Sequence, residues 1–145
     1  MKIYMKAYLA QNLGDDLFVK ILVDRYKLHK FYAISNGYKS YKKYFSNLKV
    51  YSNSYLYRLI RKFKLEKFLA NRCKLVVTIG GSMFMEESEL DKKREFLLGK
   101  NKQFILGSNF GPYKTQEYFD IVKKAFSKAE DVCFREEYSY NIFKD

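Results

Sequence analysis

A chain of 145 residues with 48% apolar side chains is long enough to bury one proper core, which excludes an extended disordered segment. Its 28 basic and 16 acidic side chains leave a formal charge of +12, which attracts polyanions, acidic membrane surfaces and phosphorylated substrates. The basic residues are scattered, however, and no block of like charge is long enough to be a nucleic-acid arm. The 14 Tyr and 13 Phe, with no Trp, belong to a Lys-, Tyr-, Phe- and Asn-rich composition that an AT-rich genome also favours, so composition itself carries no functional signal.

Residues 3–9 read as a first strand, stopped by Gln11-Asn12-Leu13-Gly14. Asp15 or Asp16 can then cap a helix in which Leu17, Phe18, Ile21 and Leu22 form an apolar stripe. A second strand is predicted over 31–35, closed by Asn36-Gly37, and a short third over 48–52 after a Tyr-rich polar stretch. From Ser54 to Phe68 a helical period returns, with Leu56, Leu59, Ile60 and Phe63 on one face and Arg58, Arg61 and Lys62 on another. Such a basic amphipathic helix can rest on an anionic membrane. The reading favoured by the sequence is that it covers a sheet and shows its cations to water.

Residues 74–79, KLVVTI, form the strongest strand, a β-branched run expected of a central parallel strand buried on both faces. Gly80-Gly81-Ser82 ends it abruptly. A helix over 89–98 is predicted next, then a strand over 103–106 ended by Gly107-Ser108-Asn109. Thr115 can cap a further helix, where Tyr118, Val122, Phe126 and Ala129 recur at helical spacing. Residues 131–134 are a last strand, and 135–143 turn helical again. This alternation is the pattern of one α/β domain over 1–145, a doubly wound, mainly parallel, Rossmann-like sheet with helices on both faces.

Ligands of open α/β sheets bind at the carboxyl ends of the strands, where the strand order reverses. With the order 3-2-1-4-5-6 that point lies between the first and fourth strands, so the loops NLGDD and GGS are expected to face each other. Gly14, Gly80 and Gly81 lack a Cβ and permit close approach, while Asp15 can cap amides or accept sugar hydroxyls, and Ser82 can donate and accept. An Asx turn with a helix cap accounts for Asn12 and its neighbours without a ligand. Cys73 and Cys133, 60 positions apart, belong to no CxxC pair, and the lone His29 has no ligand-spaced companion, so no metal site and two buried free thiols are expected. The N-terminus meets acid before any long apolar run, and no stretch is long and apolar enough for a transmembrane span, so a cytoplasmic location, at most membrane-peripheral, is expected.

Four segments in order, AQNLGDDLFVKILVDRY, KLVVTIGGSMFME, ILGSNFGPY and FREEYS, resemble the polysaccharide pyruvyl transferase family. The resemblance implies one half of a GT-B-like architecture and transfer of pyruvate from phosphoenolpyruvate to a sugar of a cell-surface polysaccharide, forming a cyclic ketal. It implies no cofactor besides that donor substrate, and a sugar or lipid-linked oligosaccharide as acceptor; no nucleic-acid partner is expected, because only the charge suggests one and no basic stripe is interleaved with stacking aromatics. It marks Asp15 and Arg135 as catalytic, and Asn12, Gly14, Gly80, Gly81, Ser82, Asn109, Gly111 and Ser139 as substrate-binding. Pro112 matches the same third loop. Arg135 also has a reason of its own: a guanidinium at a strand's carboxyl end can grip a phosphate or carboxylate with two parallel bonds, unless it pairs with Glu136. The family's C-terminal, donor-binding domain has no counterpart in these residues, so the chain is expected to be an acceptor-side piece without turnover alone. The alternatives are half of a GT-B glycosyltransferase using a nucleotide sugar, or a truncated binding module.

Overall fold

The computed structural model describes residues 1–9, 12–35, 44–52, 54–63 and 65–144. Gln11, the Asn36-Gly37 turn, Lys64, and the side chains of Leu56 and Arg61 lie outside the described residues. The strands are β1 (Lys2–Ala7), β2 (Lys30–Ile34), β3 (Leu48–Tyr51), β4 (Leu75–Ile79), β5 (Lys102–Ser108) and β6 (Asp131–Phe134). The helices are α1 (Leu13–Arg25), α2 (Ser54–Lys62), α3 (Leu65–Asn71), α4 (Gln116–Phe126) and α5 (Glu137–Phe143). The strands form one sheet of order β3-β2-β1-β4-β5-β6, and every pairing is parallel. This is the α/β Rossmann-like sheet that the alternating pattern predicts.

The β-branched run explains why β4 is central. β4 lies between β1 and β5, and Val76 and Val77, pointing to opposite faces, are both buried because an apolar layer covers each face. On one face Ile3, Met5, Val77 and Ile79 pack under Val19 and Val23 of α1. On the other, Tyr4 and Val76 pack under Ala70 of α3, while Ile105 packs under Tyr118, Val122 and Phe126 of α4. Apolar layers thus cover both faces of the sheet.

Local chemistry moves several expected boundaries. Asn12, not Asp15 or Asp16, caps α1, its side chain accepting the Gly14 N–H at 3.0 Å. The buried stripe of α1 is centred on Val19 and Val23 with Phe18 and Leu22 beside it, whereas Leu17 and Ile21 are exposed. The helix expected from Ser54 to Phe68 is two helices. In one unbroken helix, at about 100° per residue, Leu69 would point away from the side of Ile60. The break rephases the chain so that both Ile60 and Leu69 pack inward, and it leaves Phe63, expected on the inward stripe, 60% exposed.

No long helix spans 89–98; only a 3-10 turn at Asp91–Lys93 forms. The Asp91 carboxylate accepts the N–H groups of Glu87 and Ser88, at 3.0 and 2.8 Å, and so fixes a turn. Farther on, the buried Gln103 amide accepts the Leu98 N–H at 3.3 Å and donates to the Leu98 carbonyl at 2.7 Å. That exchange holds the segment extended, with Phe96 in the α4 layer and Leu98 in the α3 layer. Cys73 is a buried free thiol whose pKa burial raises, but Cys133 is free and exposed. Strand alternation in β6 turns Val132 and Phe134 towards α4 and α5 and Cys133 away from them.

Candidate functional site

The carboxyl ends of β4, β5 and β6 are laced together. The Ser108 hydroxyl donates to the Gly80 carbonyl at 3.2 Å, the Asn109 N–H to the Gly81 carbonyl at 3.0 Å, and the Arg135 N–H to the Ser108 carbonyl at 2.9 Å. Gly80, at φ +129°, occupies backbone that side chains rarely adopt, and so lets the chain turn sharply off β4. Beyond the turn, Phe84 bridges Phe110, the Gly111 N–H donates to the Phe84 carbonyl at 2.8 Å, and the Glu86 N–H to the Pro112 carbonyl at 2.9 Å. The second and third glycine-bearing loops are therefore one unit.

Glu86 closes that unit. It is buried, and its carboxylate accepts the N–H groups of Lys114 and Thr115, at 2.5 and 2.8 Å, and the Thr115 hydroxyl at 2.7 Å. Burial alone would raise its pKa, but these three bonds, with Lys92 nearby, hold it below the ordinary glutamate value. Thr115 in turn caps α4 through the Tyr118 N–H, as the sequence predicts.

Within this frame a cavity of about 320 Å³ opens at the switch point between β1 and β4. Its walls include Asn12, Gly14 and Asp15 from the start of α1, Gly80, Gly81 and Ser82 after β4, and Arg135 after β6. Seven of the ten residues singled out by sequence thus meet around one space. Asn109, Gly111 and Ser139 do not line it. Asn109 and Gly111 serve the loop bonds described above. Ser139 is fully buried: its hydroxyl accepts the Phe110 N–H at 2.7 Å and donates to Glu136.

The glycine pair seats the two charged groups. A Cβ on Gly80 would meet Asp15 Oδ1 at 3.2 Å, and one on Gly81 would stand 2.6 Å from Arg135 Cζ, against its Nη1. Gly81 is therefore the floor on which the Arg135 guanidinium lies. Glu136 does not take that guanidinium, because its carboxylate caps α5 and binds Ser139. Among the described residues, Asp15 and Arg135 form no ion pair with each other or with any other group. They still sense each other. Burial raises the Asp15 pKa, Asp16 adds to that, and Arg135 partly offsets it.

The sequence gives no hint of Arg94, which also lines the cavity. Lys6 of β1 donates to the carbonyls of Glu95 and Phe96, at 3.2 and 3.4 Å, and this anchor brings Arg94 to the wall. The site thus combines one carboxylate of raised pKa with two guanidiniums, a set suited to taking a proton from a hydroxyl beside an anion. A larger hollow, about 860 Å³, lies by β2 and β3 among Lys27, His29, Phe45 and Lys49, and no carboxylate is among the described residues of its walls. Among the described residues, no group of three or more His, Cys, Asp or Glu comes together to hold a metal ion.

No match to this chain is found among curated proteins or among solved structures. The sequence model of the polysaccharide pyruvyl transferase family matches residues 12–145, a span that runs from the cap of α1 through the β4, β5 and β6 loops. A match over nearly the whole chain, including the start of α1 and the loops after β4 and β6 that line the cavity, establishes that the chain belongs to the polysaccharide pyruvyl transferase family.

Proposed function

We propose that this domain forms the acceptor side of an enzyme that transfers pyruvate from phosphoenolpyruvate to two hydroxyls of a sugar in a cell-surface polysaccharide. The observation that carries the proposal is the seating of Asp15 and Arg135 on the consecutive glycines Gly80 and Gly81, facing one cavity and without an ion pair among the described residues. In this reading a sugar diol lies between them. One hydroxyl oxygen attacks C2 of the enolpyruvyl group while C3 takes a proton; the second hydroxyl oxygen then displaces phosphate from C2. Two C–O bonds form and the bond to the phosphate oxygen breaks. One hydroxyl proton's equivalent ends on the new methyl group and the other on the released phosphate.

Asp15 accepts the hydroxyl proton. Its raised pKa makes the ionised carboxylate a stronger base than an ordinary aspartate. Arg135, with Arg94 beside the same cavity, stabilises the negative charge that the donor's phosphate and carboxylate bring. The sheet then serves as one half of a GT-B-like architecture, with the remaining donor contacts supplied by a second domain, and the domain alone is without turnover. Because phosphoenolpyruvate is a cytoplasmic metabolite, the reaction belongs on the cytoplasmic side, with a sugar or lipid-linked oligosaccharide as acceptor.

The test is made in the source organism. Deleting the coding region should remove ketal-linked pyruvate from the surface polysaccharide, measured as pyruvate released by mild acid. Restoring the gene should bring it back. Full ketal content in the deletion strain would overturn the proposal.

A further inference from the structure

The α2–α3 surface is charged and apolar at once. Residues 54–72 carry six basic side chains, Arg58, Arg61, Lys62, Lys64, Lys67 and Arg72, against the single acid Glu66, and Lys67 pairs with Glu95 at 3.5 Å. Glu66 is occupied, accepting the Tyr4 hydroxyl at 3.1 Å. Inward packing is done by Ile60, Leu69 and Ala70. That leaves Phe63 and Phe68, at 60% and 54% exposure, and Leu65, at 40%, with no place in the core. Each exposed ring is accompanied by a cation: Lys62 Nζ stands 5.7 Å from the Phe63 centroid and Arg72 Cζ 5.5 Å from that of Phe68. Solvated lysines alone would account for the charge, but they do not account for two phenylalanines turned outward beside them.

We infer that the α2–α3 surface docks on an anionic lipid bilayer, with Phe63, Leu65 and Phe68 entering the headgroup boundary and the surrounding cations meeting lipid phosphates. Charge complementarity identifies the occupant. A strongly basic helical face binds acidic headgroups, and rings at its margin supply the apolar contact that holds a helix in the interface. Single-stranded nucleic acid would want its stacking rings along a groove that tracks the backbone, whereas Phe63 stands exposed just past the end of α2 and Phe68 on the exposed side of α3. No helix among the described residues is long and apolar enough to cross a membrane, so the contact is peripheral. The inference stands on this surface and is independent of the chemistry assigned to the cavity.

The test is co-sedimentation of the full 145-residue chain with vesicles of phosphatidylcholine, alone or mixed with phosphatidylglycerol. The chain should bind only the mixed vesicles. Phe63→Ser with Phe68→Ser should weaken binding by about tenfold or more while leaving the melting temperature unchanged, because both rings are exposed. Arg58→Gln with Lys62→Gln should weaken it more than Lys123→Gln with Lys124→Gln, which removes equal charge from α4. Equal losses from the two charge pairs, or no loss from the phenylalanine pair, would reduce the effect to net charge and overturn the inference. Failure to bind mixed vesicles would also overturn it, as would tighter, Phe63- and Phe68-dependent binding to oligouridylate.

Discussion

The guanidinium of Arg135 lies where the side chain of any residue but glycine at position 81 would be. Arg135 leaves the end of β6, crosses the end of β5 and rests beside the turn after β4, so one absent Cβ sets the position of a charge brought from two strands away. Gly81→Ala tests this relationship. The displaced atoms are the far end of a flexible side chain, so the fold should survive with a melting temperature near that of the wild type. Pyruvyl transfer should fall by about tenfold or more, since a misplaced contact forfeits its charge-assisted bonds. Ketal formation at wild-type level by Gly81→Ala would show that the seat of Arg135 is unimportant.

Asp15→Asn separates stability from function. The folded-state pKa of Asp15 is raised, so the group favours folding below its unfolded pKa of about 3.9 and loses that contribution as pH rises through the folded value. At neutral pH the ionised carboxylate is a burden, and Asp15→Asn should melt at or above the wild-type temperature while losing transfer. The stability difference should shrink on acidification through the carboxylate range. A clear fall in melting temperature at pH 7, followed by calorimetry, would mean that Asp15 is a structural anchor.

Ser139→Ala addresses a residue that family resemblance marks for substrate. Its buried hydroxyl accepts the Phe110 N–H, and losing it strands that donor, at a cost of about 1–3 kcal/mol. The expected result is a lower denaturation midpoint with transfer intact in the protein that remains folded. Unchanged stability with lost transfer would place Ser139 in the chemistry instead.

Glu86 ties the second loop to the start of α4, and its lowered pKa contributes stability above its ordinary value of 4.5. That contribution should disappear as pH falls through the lower, folded value. Glu86→Gln should therefore melt several degrees below the wild type at neutral pH, with the gap narrowing in acid. A pH-independent gap would assign the effect to shape rather than charge.

The strand order, the central place of Val76 and Val77, and the meeting of Asp15 with Gly80 and Gly81 were legible because each depends on local pattern plus a topological rule. The segment 89–98 was not. Its Lys and Glu content favours a helix, but Gln103 at the start of β5 and Lys6, far away in sequence on β1, bind its backbone and override that preference. Arg94 was hidden for the same reason, since on a regular helix nothing would aim it at the cavity. The glycine-proline loop looked like a ligand loop because tight turns and ligand loops use the same residues; in the fold Gly111 and Ser139 instead hold neighbouring loops together.

The most direct measurement is polysaccharide-bound ketal pyruvate in the deletion strain restored with Arg135→Lys, alongside wild type and with folding checked on the purified chain. Lysine keeps the charge but loses the planar fork, and a bidentate contact is worth about 2 kcal/mol, or roughly thirtyfold in rate. A correctly folded Arg135→Lys protein should show an initial rate of ketal incorporation lowered by that order. Incorporation at the wild-type rate by both Arg135→Lys and Arg135→Ala would remove Arg135 from the transfer chemistry.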